Sequence, residues 1–264
     1  MSPSGSPSHS PIAPLHTQEP PSARFDRLDA LRGFALLWMA AFHFCFDLSH
    51  AGLLQANFYV DPLWTTQRTL ILSTFLLCAG AGQAIATAQG QSWARFWRRW
   101  AQIVACALAV SAGSWWMFPN SYIYFGVLHG MAVMLLIARL SAPLGTWLWP
   151  LGALVIGLPQ WLSHPWFDTR LTSIMGLVTH KPITEDFVPL APWLGVMWWG
   201  LAATQWALRK NPRCLSTPLS GDARLPPPQR ALSLLGQWSL TFYMVHQPVM
   251  LAALELYLMT RRSA

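Results

Sequence analysis

Two side chains that can move a proton lie one helical turn apart in the segment RLDALRGFALLWMAAFHFCFDLSH, residues 27–50. His43 and Asp47 are four residues apart, and this spacing places them on the same face of a helix. A carboxylate at this spacing can accept a hydrogen bond from the imidazole, fix its tautomer and support the imidazolium. The pair therefore predicts a general base at His43.

An arginine and a second aspartate precede this pair on the same helical face. Arg32 lies eleven residues before His43, which is about three full turns, and Asp29 shares the face approximately. The rise between Arg32 and His43 is about 16 Å. Because an arginine binds phosphate through charge-assisted hydrogen bonds, Arg32 is a candidate for holding an anionic ligand whose far end reaches His43.

The helix that carries these residues is predicted to belong to an integral membrane protein. Of the 264 residues, 53% are hydrophobic, only 10% are charged and 16 are tryptophan, which is not the composition of a soluble domain. A membrane-spanning helix needs about 20 mainly apolar residues. Enough such segments are present to predict an all-α fold, a polytopic bundle of about seven transmembrane helices. These segments lie near residues 31–51, 65–88, 101–118, 123–140, 144–162, 189–208 and 237–258.

Three regions follow from this pattern. Residues 24–258 form the predicted transmembrane domain, residues 259–264 a short C-terminal tail, and residues 1–23 a Pro- and Ser-rich N-terminal tail. The N-terminal tail has too few large apolar residues to form a core, so we expect it to be disordered. It also lacks the apolar central region of a signal peptide.

The basic residues predict the orientation of the chain. Cytoplasmic loops of membrane proteins are enriched in Lys and Arg, and here most of the basic residues fall on the side of the N-terminus. The segment ARFWRRW contributes Arg95, Arg98 and Arg99 to this side. We therefore expect a cytoplasmic N-terminus. The net charge of +7 then belongs to a cytoplasmic rim that attracts anionic lipid headgroups or an anionic substrate, and not nucleic acid.

Two further histidines, His129 and His246, lie in other predicted helices. At a rise of about 1.5 Å per residue, both fall at a depth similar to that of His43, between the midplane and the outer leaflet. Ionisable residues inside a membrane usually face the bundle interior or a wet cavity, where they often have a function. Each of these histidines taken alone is equally explained as a hydrogen-bonding residue between helices.

Buried histidines leave two other functions open. A haem-binding membrane protein uses histidines on facing helices as axial ligands, but this function leaves Arg32 and Asp47 unexplained. A proton-coupled transporter uses His/Asp relays, but the sequence shows no convincing internal repeat of the kind found in transporters. A retinal protein is excluded because the only lysines, Lys181 and Lys210, fall in predicted loops.

Four segments, taken in order, resemble a known family. RLDALRGFALLWMAAFH, residues 27–43, resembles the first helix of the transmembrane acyltransferase superfamily, in which a Leu-Asp-x-x-Arg-Gly element precedes a histidine. Together with YFGVLHGMA, DFVPLAPWLGV and LGQWSLTFYMVHQPVML it is similar to the bacterial DUF1624 family. That family is similar in turn to the catalytic domain of heparan-alpha-glucosaminide N-acetyltransferase. The resemblance covers about residues 24 to 257.

The resemblance implies transfer of an acetyl group across a membrane. The donor is acetyl-CoA on the cytoplasmic side, and the acceptor is an amine or hydroxyl, usually of a sugar or envelope glycan, on the other side. His43 matches the catalytic histidine, with Asp47 beside it, and Arg32 matches the motif arginine near the acyl donor. Asp29, Arg98 and Arg99 are further candidates for donor binding. The candidates around the acceptor are His129, Asp186, Trp193, His246 and Gln247.

Two mechanisms are open for this reaction. His43 either deprotonates the acceptor for direct attack on the thioester or carries the acetyl group as a covalent intermediate. We expect no metal or haem cofactor, and the expected partners are acetyl-CoA, the acceptor and membrane lipids. Trp193 is the one tryptophan singled out as an acceptor contact, because an aromatic belt at the membrane interface explains most of the others. We expect the protein in the inner membrane of a bacterium.

Overall fold

The computed structural model describes residues 25–211 and 226–262. Within these ranges the regular secondary structure is helical and contains no strand. The α-helices are α1 (Asp26–His50), α2 (Pro62–Ala88), α3 (Trp93–Met117), α4 (Val127–Ser141), α5 (Leu148–Trp161), α6 (Leu190–Lys210), α7 (Pro227–Gln237) and α8 (Ser239–Arg262). Short 3-10 helices span Ala142–Trp147, Pro165–Asp168 and Ser173–Met175. The predicted N-terminal tail, residues 1–23, lies outside the described residues.

These helices confirm the predicted fold class, a helical membrane bundle. Each predicted segment overlaps a helix, from α1 to α6 and again at α8. By length and composition, 4 stretches of the described chain could cross a membrane: α1, α2, α3, and Val127–Trp161, which joins α4 to α5. On their own, α4 and α5 contain 15 and 14 residues. Each is therefore only about 22 Å long, shorter than the ~30 Å hydrocarbon core.

Local signals set helix ends that the hydrophobic pattern misplaced. Helix α3 begins at Trp93 and not near residue 101, because the Ser92 hydroxyl accepts a hydrogen bond from the Arg95 N–H at 3.4 Å and caps the helix. Helix α7 was not predicted, since its 11 residues are too few and too polar for a span. Helix α8 continues to Arg262, through most of the predicted C-terminal tail.

Two clusters of apolar side chains pack the bundle. The larger lies between α2, α4 and α6, and the smaller lies between α1, the start of α2 and the loop that joins them. Lipid is as apolar as these side chains, so close packing stabilises the contacts more than the hydrophobic effect does. Fully buried members of the larger cluster are Leu76, Met134, Met197 and Leu201, and the smaller contains Leu36, Met39, Phe42, Phe58 and Ile71.

Glycines allow two helix pairs to approach at backbone distance. A Cβ added to Gly80 of α2 would overlap the Met197 carbonyl oxygen of α6, and one added to Gly33 of α1 would overlap the Leu232 carbonyl oxygen of α7. Small residues at such contacts are typical of helix packing in membranes. The contact between α1 and α7 places the start of α8 beside the start of α1.

The segment before α6 runs along the segment before α4. The Val188 N–H donates to the Phe125 carbonyl oxygen at 3.1 Å, and the Glu185 N–H donates to the Ser121 carbonyl oxygen at 2.9 Å. This pairing holds Asp186 at the first turn of α4, at the end of the bundle away from Arg32.

Candidate active site

The histidines of α1 and α8 contact each other. The Nδ1 atom of His43 and the Nε2 atom of His246 are 2.9 Å apart, and the two rings meet edge to edge, with centroids 5.2 Å apart and planes 17° apart. The other ring nitrogen of His246 lies 2.8 Å from the Tyr243 carbonyl oxygen and 3.3 Å from that of Phe242. A hydrogen-bonded chain therefore runs from the backbone of α8 to His43.

This pairing differs from the axial ligation that a haem uses. Two metal–nitrogen bonds of about 2 Å on opposite sides of an ion would hold the ligand nitrogens ~4 Å apart. The nitrogens of His43 and His246 are 2.9 Å apart, at hydrogen-bond distance. Across residues 25–211 and 226–262, no group of 3 or more His, Cys, Asp or Glu side chains is placed to hold a metal ion.

The predicted hydrogen bond between Asp47 and His43 is wrong. The Asp47 carboxylate, which is only 5% exposed, accepts hydrogen bonds from Gln247 Nε2 at 2.9 and 3.1 Å. The prediction considered only the helix that carries both residues, whereas α8 brings an amide to Asp47 and an imidazole to His43. Asp47 therefore fastens α8 next to the histidine pair.

Arg32 lies at the other end of the same face of α1. Its guanidinium donates to the Asp29 carboxylate at 3.0 Å and to the Cys78 carbonyl oxygen of α2 at 3.2 Å. A Cβ on Gly82 would lie 2.6 Å from the guanidinium, so this glycine leaves room for it. The predicted proximity of Arg32 and Asp29 is present, and the side chain of Arg32 is 25% exposed.

A cavity of about 1400 Å³ lies between α1, α2, α3, α4 and α8. At one end its lining includes the guanidinium groups of Arg32, Arg95 and Arg99 and a single carboxylate, that of Asp29. This end of the cavity is therefore basic. The exposed side chain of Arg98 is not among the described residues that line the cavity. Of the two arginines of α3 that were candidates for donor binding, Arg99 lines the cavity and Arg98 does not, and Arg95, which was not a candidate, lines it as well.

The cavity extends along the bundle to Leu36 and Tyr243, and neither His43 nor His246 is among the described residues that line it. Its lining includes Leu36 of α1 and Tyr243 of α8. Leu36 lies two turns, about 10 Å, before His43 on nearly the same helix face. The ring of Tyr243 lies 5.8 Å from the ring of His246. Tyr243 was missed in the sequence, although it stands three residues before His246 and therefore on the same face of α8.

His129 lies in a separate hydrogen-bond network. Its Nδ1 atom accepts from the Gly126 N–H at 3.3 Å, and its Nε2 atom is 3.0 Å from the Ser111 hydroxyl. Ser111 donates in turn to the Ile123 carbonyl oxygen at 2.7 Å. Both nitrogens of His129 therefore join α4 to α3 and the loop between them, which favours the interpretation of His129 as a packing residue.

Asp186 binds the first turn of α4. Its carboxylate accepts a hydrogen bond from the Val127 N–H at 2.7 Å, at the end of the helix that favours negative charge. Burial raises the pKa of Asp186, while the Val127 hydrogen bond and the charge of Lys181 oppose this rise. Val127, whose N–H binds this carboxylate, is among the residues that line the cavity. The carboxylate therefore adjoins the deep end of the site.

Trp193 packs against the larger apolar cluster, where its side chain is partly buried. This packing accounts for Trp193 without an acceptor. Trp193 is the fourth residue of α6, and the segment before this helix carries Asp186. The proximity of the two residues in the sequence is the reason why both were candidates for the acceptor site.

The fold and the site define a helical membrane protein with a cavity that is basic at one end and reaches Tyr243, a neighbour of His246, at the other. The family described as "Heparan-alpha-glucosaminide N-acetyltransferase, catalytic" matches residues 24–248, which is most of the chain. The chain belongs to this family, as the resemblance in the sequence predicted, and is thus a member of a membrane acetyltransferase family. Comparison with curated proteins and with solved structures gave no match.

Proposed function

We propose that the chain transfers an acetyl group from cytoplasmic acetyl-CoA to an amine or hydroxyl of a sugar or envelope glycan on the opposite side of the membrane. The observation that carries this proposal is the cavity, whose lining runs from Arg32 and Arg99 to Tyr243, beside the histidine pair. It extends from the basic end to Tyr243, whose ring lies 5.8 Å from the ring of His246, while neither His43 nor His246 is among the described residues that line it.

The lining suits an acyl donor that has an anionic head and a long arm. Arg32, Arg95 and Arg99 offer charge-assisted hydrogen bonds to phosphate groups. Farther along, Leu36 and Met131 offer an apolar wall to the arm. The volume of about 1400 Å³ exceeds the usual ~300–1,000 Å³ of a small-molecule pocket, as an extended donor requires.

The histidine pair, beside the Tyr243 end of the cavity, supplies the chemistry. In one mechanism His43 takes the proton of the acceptor while the acceptor nitrogen or oxygen attacks the thioester carbonyl, the C–S bond breaks and CoA leaves as the thiol. In the other, a ring nitrogen of His43 attacks the thioester carbonyl, the C–S bond breaks and CoA leaves as the thiolate; the acceptor then attacks the acetyl carbon, the C–N bond to His43 breaks, and the acceptor's proton passes to the thiolate. Both mechanisms need an unprotonated ring nitrogen on His43.

Asp186 is the residue we assign to the acceptor. It lies in the segment before α6 and binds the N–H of Val127, which lines the cavity. Its raised pKa has burial as the first cause, which fits a carboxyl group that orients a hydroxyl or amine in a site with little water.

The orientation that we propose places the N-terminus and the basic end of the cavity in the cytoplasm of a bacterium, with the chain in the inner membrane. Arg95, Arg98 and Arg99 support this orientation, because they lie together in the first two turns of α3. Acetyl-CoA is a cytoplasmic metabolite in such a cell, so the donor would meet the basic end directly.

The experiment that tests the function is transfer of label from acetyl-CoA. Membranes that contain the chain are incubated with acetyl-labelled acetyl-CoA and cell-envelope extracts, and parallel membranes lack the chain. We expect label to appear in a glycan fraction only when the chain is present. Absence of chain-dependent label from every extract, together with absence of acetyl-CoA binding by the folded protein, would contradict the proposal.

A further inference from the structure

We infer that His246 is a positioning residue that fixes the tautomer of His43, so that the Nε2 atom of His43 keeps its lone pair for the reaction. This inference rests on the proposed function. It gives His246 the role of fixing the His43 tautomer, which the sequence analysis predicted for Asp47. It follows from the order of donors and acceptors along one hydrogen-bonded chain.

The first step concerns His246 alone. Its Nδ1 atom faces the carbonyl oxygens of Tyr243 and Phe242 at 2.8 and 3.3 Å. A carbonyl oxygen only accepts hydrogen bonds, so the Nδ1 atom must carry the hydrogen. A neutral imidazole has one N–H, which leaves the Nε2 atom of His246 as an acceptor.

The second step concerns His43. Its Nδ1 atom lies 2.9 Å from the accepting Nε2 atom of His246, so Nδ1 of His43 is the donor. The other tautomer would bring two lone pairs together at this distance. Neutral His43 therefore carries its hydrogen on Nδ1, and its Nε2 atom has no hydrogen-bond partner among the described residues. This nitrogen is the one available as base or nucleophile.

Packing, burial and a neighbouring hydrogen bond hold His246 in place. The ring of Phe242 stacks on it with centroids 5.7 Å apart and planes only 7° apart. The side chain of His246 is buried at 9% exposure. The next residue, Gln247, donates twice to Asp47 of α1, which holds α8 in register with His43. Asp47 thus acts on His43 through α8.

The pair also suits the charged state of His43. When the Nε2 atom takes the acceptor's proton, the Nδ1–H bond to His246 becomes a charge-assisted hydrogen bond, which is stronger than a neutral one. His246 stays neutral throughout and returns unchanged when His43 releases the proton. The proposal therefore needs an acceptor atom at the place of His246 Nε2, and it does not need a second titrating group.

Two substitutions separate this role from packing. His246→Leu keeps apolar volume and removes the acceptor, whereas His246→Gln places a side-chain carbonyl oxygen near the former Nε2 atom. We expect His246→Leu to lower kcat by about 10²-fold, within the range for general-base catalysis, with the KM for acetyl-CoA unchanged. We expect His246→Gln to recover most of the lost kcat. Equal losses in the two folded variants would overturn the inference.

A spectroscopic measurement reads the tautomer without any acceptor. In protein labelled with ¹⁵N-histidine, the His43 signals are identified by their loss in His43→Asn. The wild type should show neutral His43 with hydrogen on Nδ1, and His246→Leu should show a mixture of tautomers. Hydrogen on Nε2 in the wild type would refute the inference. Lack of acetyl transfer with the Nδ1–H tautomer intact would instead count against the proposed function.

Discussion

At the residue scale, we assign donor binding and chemistry to separate side chains on one helix. Arg32 contributes to the basic end of the cavity, and His43 lies about 16 Å farther along nearly the same face of α1. A substitution at one end should therefore change the affinity for the donor, and a substitution at the other should change the rate of transfer.

The first prediction concerns Arg32→Ala. Hydrogen bonds to charged groups contribute about 1.5–3 kcal/mol, so the affinity for acetyl-CoA should fall roughly 10- to 100-fold. The measurement is equilibrium binding of labelled acetyl-CoA to purified protein that is shown to be folded. Arg98→Ala is the matched control, because Arg98 is an exposed arginine outside the described cavity lining. The affinity of this variant for acetyl-CoA should match that of the wild type. Unchanged affinity in Arg32→Ala would exclude the proposed donor path.

The sequence identified candidate residues on α1 and α8 but not which of them contact each other. His43, Asp47 and Arg32 stand out because ionisable residues are rare in membrane helices and their spacing shows a common face. The partners of His43 and Asp47 lie on α8, 203 and 200 positions farther along the chain. Which residue of α8 meets which residue of α1 depends on the packing of the two helices, and no spacing within α1 contains that information.

At the scale of elements, hydrophobic length predicted segments that overlap seven of the described helices, but it missed α7. Helix α7 escaped because the segment PPQRALSLLGQ alternates polar and apolar residues over only 11 positions. Its place against α1 depends on Gly33 and Gly236, whose missing side chains let the two backbones touch. A glycine at a helix contact is visible in a sequence, but the partner that requires it is not.

The second prediction tests this helix contact. In Gly33→Ala the added Cβ would overlap the Leu232 carbonyl oxygen, so α7 must move away from α1. Overpacking of this kind costs about 1–3 kcal/mol, and thermal unfolding in detergent should show a lower Tm and less folded protein. Gly113→Ala is the control, because no atom lies within 4 Å of a Cβ at Gly113. There alanine should leave Tm unchanged or raise it, since it favours helix by about 0.5–1 kcal/mol over glycine. Equal effects of the two substitutions would contradict the described contact.

At the scale of the whole molecule, the proposal requires the two ends of the bundle to face different compartments. The cytoplasmic end should hold the start of α3, and the opposite end should hold the segment before α6. The positive-inside tendency supports this orientation, and labelling from outside the cell tests it directly.

The third prediction uses single cysteines in a background without the native ones. Ile183 is 84% exposed in the segment before α6, so Ile183→Cys should react with a membrane-impermeant maleimide on intact cells. Ala94 is exposed in the first turn of α3, so Ala94→Cys should react only after the membrane is permeabilised. The reverse pattern would overturn both the topology and the side of donor binding.

The measurement that tests the central claim most directly is acetyl transfer by His43→Ala compared with the wild type at matched amounts of folded protein. Loss of a general base should reduce transfer by about 10² to 10⁴-fold, while binding of acetyl-CoA stays close to that of the wild type. His180→Ala serves as control, because this histidine lies in the segment before α6 with its side chain 73% exposed, and its activity should be unchanged. If folded His43→Ala transfers acetyl groups at nearly the wild-type rate, His43 is a structural residue and the proposed mechanism is wrong.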